Sequence, residues 1–286
     1  MIRLDAATVL LQWATGGLLF LWVTTRRREV GIGYGWLLRA VYAVLAMGAA
    51  AAGLLVDAVP VRDGAAVGVV VAAGVALAVS IVRRKAGVAG ERARKERKAT
   101  RVAVMAGTRA PEEVAGPGVG PVREFPPYLD LVAPLIGLVG LVAAGTAAGE
   151  PRALAVARTL AGAVFLGAVS DAMLLGHWYL VQPGLGRGPL LELNRWLALT
   201  WPLEVAVLLW PTGMLSVLSG TVDDGWDGTL GWFWVACAIA TLVLTAVTQA
   251  ALREKAYSAV MAATGLLYLA ILTAFGTDLV ARAVLA

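Results

Sequence analysis

Long apolar runs broken by short polar connections set the pattern of this chain. The runs are Ala6–Thr24, Trp36–Val56, Ala65–Val82, Leu129–Ala147, Ala153–Val181, Leu190–Trp210, Leu230–Ala250 and Ser258–Val280. Each has about the 20 residues that an α-helix needs to cross a hydrocarbon core. Strand-like alternation is absent from them, and backbone groups in hydrocarbon must pair within their own segment, so the runs are expected to be helices. The expected fold is all-α: a polytopic transmembrane helical bundle of about eight spans. Three segments follow: 1–82 with spans one to three, a basic loop over 83–128, and 129–286 with spans four to eight. The first run does not read as a signal peptide, because Arg26, Arg27 and Arg28 follow it instead of preceding it.

Composition agrees with this pattern. Hydrophobic residues make up 59% of the 286 and charged residues 15%, whereas a soluble domain carries about a quarter charged residues. Arginine outnumbers lysine, and Ala, Val and Gly abound, as in chains from GC-rich bacterial genomes. A multi-pass protein of a bacterial cytoplasmic (inner) membrane is expected.

Charge placement gives the orientation. Basic loops follow spans one, three, five and seven, while the intervening loops are poor in Lys and Arg. With eight spans this alternation is unbroken, so the basic loops are expected in the cytoplasm and both termini on the outer side. The loop over 83–128 holds eleven basic and five acidic residues. Its first part, 90–104, reads as a charged helix and 110–127 as a Pro/Gly-rich stretch. Anionic membrane lipid is its expected partner. Nucleic acid is not, since no aromatic residue precedes Phe125 in the loop. Trp22, Trp36 and Trp178 are expected in an inner aromatic belt, and Trp210, Trp232 and Trp234 in an outer one. Glycine pairs such as Gly68/Gly74, Gly137/Gly140 and Gly162/Gly167 are expected at close helix crossings.

Polar groups inside spans are costly, about 2.5–3.5 kcal/mol for a central charge, so candidate chemistry starts with them. Spans five and six are richest. Asp171 and Glu204 are a candidate proton or cation relay, expected to approach one another near mid-membrane, with Pro202 kinking span six beside Glu204. His177, Trp178, Tyr179, Asn194, Arg195 and Trp201 are candidate binding residues for a quinone-like or lipid head group at the cytoplasmic ends of these spans. At six residues' separation, Asp171 and His177 point about 120° apart and do not meet on one helix. The structural alternatives are a His177 bonded to a backbone carbonyl, and carboxylates held neutral or paired with Arg158 or Arg195. Arg158 is expected to snorkel, Gln12 to bridge helices, Asp278 to be solvated, and spans one to four to be mainly architectural.

One histidine and one cysteine exclude bis-histidine haem ligation and His- or Cys-rich metal sites within a single chain, so no haem or metal is expected from this chain alone. Nucleotide and nucleophile-elbow fingerprints are absent. Two function classes remain: a membrane-embedded binding or accessory protein, alone or in an oligomer or complex, and a small proton- or cation-coupled transporter. An enzyme acting on lipid or isoprenoid substrates is weaker, because paired acidic motifs for metal–diphosphate binding are missing.

Overall fold

The computed structural model describes residues 4–86, 88, 96, 100, 124–182, 184–211 and 213–286. Most of the charged helix expected over 90–104 and of the Pro/Gly-rich stretch over 110–127 lies outside the described residues. Among the described residues there are eight long helices and no strand. They are α1 (Ala6–Thr25), α2 (Ile32–Leu55), α3 (Pro60–Val82), α4 (Val132–Ala147), α5 (Arg152–Val181), α6 (Gly188–Leu209), α7 (Thr229–Arg253) and α8 (Tyr257–Val284). A 3-10 turn, Pro127–Leu131, leads into α4, and a one-turn helix, Met214–Leu218, follows α6.

Seven of these helices are long and apolar enough to cross a membrane, α4 together with its leading turn. The exception is α6, which carries Glu192, Arg195 and Glu204. It nevertheless runs alongside α5 for its whole length. Six residues join it to α5, and at its far end Arg158 Nε of α5 donates to the carbonyl of Val207 at 2.8 Å. The two helices are therefore antiparallel over about 33 Å. The α6 helix continues through Pro202 without interruption.

The bundle has two distinguishable ends. At one, Arg187 donates to the carbonyls of Leu252, Lys255 and Ala256, tying the α5–α6 turn to the α7–α8 turn. Arg26 and Arg27 from the end of α1 pair there with Glu192 at 2.5 and 3.0 Å. This is the Arg-rich end. At the other, Asp5, Asp57, Ala148 and Arg282 line one small cavity, which brings together both chain ends and the α2–α3 and α4–α5 turns. Central to the bundle is α5, which packs against α1, α4, α6 and α8.

Small residues set the closest crossing. A side chain on Gly167 would lie 2.2 Å from the backbone of Gly16, and one on Gly16 would lie 1.8 Å from the carbonyl oxygen of Ala163. Only glycine permits that approach of α1 and α5. Gly74 differs from the expectation, since a Cβ there would meet nothing. Trp232 and Trp210 are exposed, as a belt requires, but Trp234 is buried among Leu208, Met214 and Val217. Two residues along the helix place it about 200° from Trp232, hence inward.

Before α7, the Asp224 carboxylate accepts from the backbone N–H groups of Trp226, Gly228, Leu230 and Gly231 at 2.9–3.2 Å. Desolvation is the largest single influence and raises its pKa, but the four donors together outweigh it and hold the carboxyl below its ordinary range. A depressed folded-state value means that the stabilisation is full above the unfolded-state pKa and is lost as pH falls through the folded one. Amide exchange at these four positions, corrected for intrinsic rate, is therefore expected to speed up at acidic pH. In Asp224→Ala it is expected to be fast at all pH values. A loop equally protected in the variant contradicts this assignment.

Candidate functional site

The polar groups inside the bundle fall into four clusters, of which two are fully matched ion pairs. On α2, Arg39 makes a two-pronged contact with Asp130, both hydrogen bonds at 2.7 Å. Thr25 adds a third donor at 3.0 Å, and the Phe125 ring lies 4.3 Å from the guanidinium. At the other end, Arg62 is held by Asp5, by Asp63 at 2.8 Å and by the carbonyl of Asp57 at 2.5 Å. These charges lie in helices expected to be mainly architectural. They are buried ionic clamps that apolar patterning does not reveal.

Asp171 and Glu204 behave differently. Asp171 is fully buried, and its Oδ1 accepts from the Tyr42 hydroxyl. The Tyr34 hydroxyl reaches its main-chain carbonyl at 3.4 Å. Its second oxygen, Oδ2, has no hydrogen-bond partner. Glu204 is also fully buried, and neither of its oxygens receives a hydrogen bond. Asp278, Arg282 and Arg158 surround it electrostatically. Neither acid has a salt bridge to Arg158 or Arg195.

The pair does not come together at mid-membrane. With Arg158 level with Val207, Glu204 stands level with about residue 161 of α5, ten residues from Asp171 and so about 15 Å away along the axis. Sequence depth alone put the two levels closer, because it took the helix ends as flush.

Around Glu204 lies a buried network that two expectations missed. Asp278 is fully buried rather than solvated, and accepts from Arg282 Nε at 2.7 Å and from Gln12 Nε2 at 3.4 Å. Arg282 also donates to Gln12 Oε1 at 2.5 Å. Gln12 therefore bridges α1 and α8, as expected. Gly162 makes room for it, since a Cβ there would lie 2.0 Å from Gln12 Nε2. Arg158 is buried too and does not snorkel, because the carbonyls of Val207 and Trp210 at the end of α6 need its donors. The next residue on α1, Trp13, donates to Ser170 at 2.8 Å. Consecutive residues of α1 thus touch the surroundings of both acids.

The six candidate binding residues are dispersed. His177 is exposed, with Nδ1 at 3.1 Å from the Tyr268 hydroxyl and no backbone carbonyl bonded to it. Trp178 donates to Gln182 at 2.7 Å and Tyr179 to the carbonyl of Gly186. Asn194 and Trp201 point at α7, donating to Thr245 and Gln249 at 3.1 and 3.0 Å, and to Ala238 at 2.9 Å. Arg195 is exposed and lines an open groove against α1. Tyr34, Tyr42 and Arg282 were missed as site residues. Only the i,i+4 spacing of Asp278 and Arg282 offered a signal for any of them. Compared with known proteins, the chain matches no family model, no curated protein and no solved structure.

Proposed function

We propose that this protein is a small proton-coupled membrane transporter in which Glu204 and Asp171 take up and release the proton. One observation carries the reading. Two acids are completely buried in a membrane-length bundle, and three of their four carboxyl oxygens have no hydrogen-bond partner. Asp130 and Asp278, equally buried, are locked by arginines at 2.7 Å. An ionisable group kept inside a membrane without a salt bridge is where proton traffic is first sought. Beside Asp171, the Tyr42 hydroxyl donates a hydrogen bond to the carboxyl, and the Asp278–Arg282 pair sets the field around Glu204. A quinone-like pocket on His177, Trp178, Tyr179, Asn194 and Trp201 draws less support, because each already has a protein partner.

In this reading the chain crosses a cytoplasmic membrane eight times, with α6 as the least apolar span. The Arg-rich end faces the cytoplasm, in keeping with the usual bias of basic loops.

The test is charge displacement on a solid-supported membrane after a pH jump, which needs no transported substrate. The full chain is expected to give a transient current. Glu204→Gln and Asp171→Asn are expected to reduce it to the level of protein-free membranes while leaving the melting temperature near that of the parent. Asp227→Asn, in the exposed loop before α7, is expected to keep it. No current from the parent, or an undiminished current in both variants, refutes the reading.

A further inference from the structure

We propose that the groove between α1 and α6 at the Arg-rich end binds the phosphodiester head group of an anionic phospholipid. The groove has a volume of about 370 Å³ and is lined by Arg27, Gly188, Glu192, Arg195, Trp196 and Leu199 among others. It stands apart from both buried acids and is independent of their function.

Charge points to the ligand class. Glu192 is shared by Arg26 and Arg27, and Arg195 has no ion pair among the described residues. Arg27 and Arg195 line the groove and Arg26 stands behind Glu192, so three guanidiniums against the carboxylates of Glu192 and Glu29 leave this corner net positive. The floor adds to this. The α6 helix begins at Gly188 without a side-chain cap, so the positive end of its dipole opens beside the arginines. Gly188 has no side chain, and the Glu29 carboxylate stands 3.8 Å from its Cβ position, so that positive end is already partly answered. Arg26, outside the lining, lies over Trp22 at 5.2 Å and steadies the Glu192 carboxylate that it shares with Arg27.

The rest of the groove points to a lipid as the source of that phosphate. From Arg195, the same side of α6 continues through Trp196, Leu199 and Leu203, with 37%, 60% and 61% of their surfaces exposed. Residues three and four apart share a face. Cationic groups at the helix start thus grade into a bare apolar rail along the bundle axis. A diacyl phospholipid has that polarity profile along its own length: the phosphate meets the arginines and the chains lie along the leucines. Inorganic phosphate would leave the rail uncovered.

Native mass spectrometry of the detergent-solubilised full chain tests this, with phosphatidylglycerol and phosphatidylcholine of equal chain length as probes. Phosphatidylglycerol is expected to be retained and phosphatidylcholine lost. The double variant Arg27→Gln/Arg195→Gln is expected to bind phosphatidylglycerol about 30-fold less tightly, as each arginine near anionic lipid contributes roughly fivefold. Arg253→Gln, at the same end but outside the groove, is expected to bind as the parent does. As a second measurement, brominated phosphatidylglycerol is expected to quench a tryptophan component that Trp196→Phe lacks. Equal retention of the two lipids, unchanged binding in the double variant, unchanged quenching in Trp196→Phe, or displacement of the lipid by millimolar inorganic phosphate would each overturn the proposal.

Discussion

Arg39→Met is expected to destabilise the bundle by about 3–5 kcal/mol, the usual loss when one partner of a buried ion pair is removed. Arg39 and Asp130 have 2% and 1% of their side chains exposed, so water cannot take over the abandoned carboxylate. Thr25 would remain as the one side-chain donor. Arg39→Lys keeps the charge but cannot reproduce two parallel hydrogen bonds, so a smaller loss is expected. Arg39→Met/Asp130→Leu should recover most of the stability, because it removes the stranded charge along with its partner. Thermal unfolding in detergent by intrinsic fluorescence reads all three. A double variant no more stable than the single one would show that the pair holds the fold by something other than mutual charge compensation.

Gly167→Ala is expected to cost about 3 kcal/mol, at the upper end of what overpacking does. The added methyl would sit 2.2 Å from one Gly16 backbone atom and 2.4 Å from another. Backbone cannot swing aside as a side chain can, so α1 and α5 must separate. Separation would also stretch the 2.8 Å bond from Trp13 to Ser170, and charge displacement is expected to fall along with stability. Gly74→Ala is the control. Its methyl meets nothing, and alanine in a helix is favoured over glycine by about 0.5–1 kcal/mol. If both substitutions change the melting temperature alike, the α1–α5 crossing is not as close as described.

The helices were legible because apolar runs of membrane length leave the backbone no other solution. Their ends were less so. The third run was read from Ala65, but α3 starts at Pro60, taking in Arg62 and Asp63. The eighth was ended at Val280, but α8 continues to Val284 past Arg282. In both places opposite charges neutralise each other inside the helix, whereas hydropathy counts each as polar. The acids themselves stood out, being polar residues within apolar runs. Their environments did not. Tyr42 lies 129 residues from Asp171 and Gln12 lies 266 from Asp278, so no local spacing announces either contact. At i, i+7 and i+10, Asn194, Trp201 and Glu204 share one stripe of α6. Its Asn194 and Trp201 are hydrogen-bonded to α7.

Gln12 and Trp13 are neighbours on α1, and each is hydrogen-bonded to a different polar cluster. Adjacent helix positions point about 100° apart, so no rotation or slide of α1 disturbs one contact and spares the other. The helix therefore works as a camshaft with two lobes, whose relative timing is set by the pitch of the helix itself. Any motion of α1 that changes access to Glu204 must also change the packing beside Asp171. If protonation of either acid moves α1, linkage requires that it be felt at the other, equally in both directions. Coupling across about 15 Å would in this way need no continuous wire of side chains, only one stiff helix and two adjacent residues.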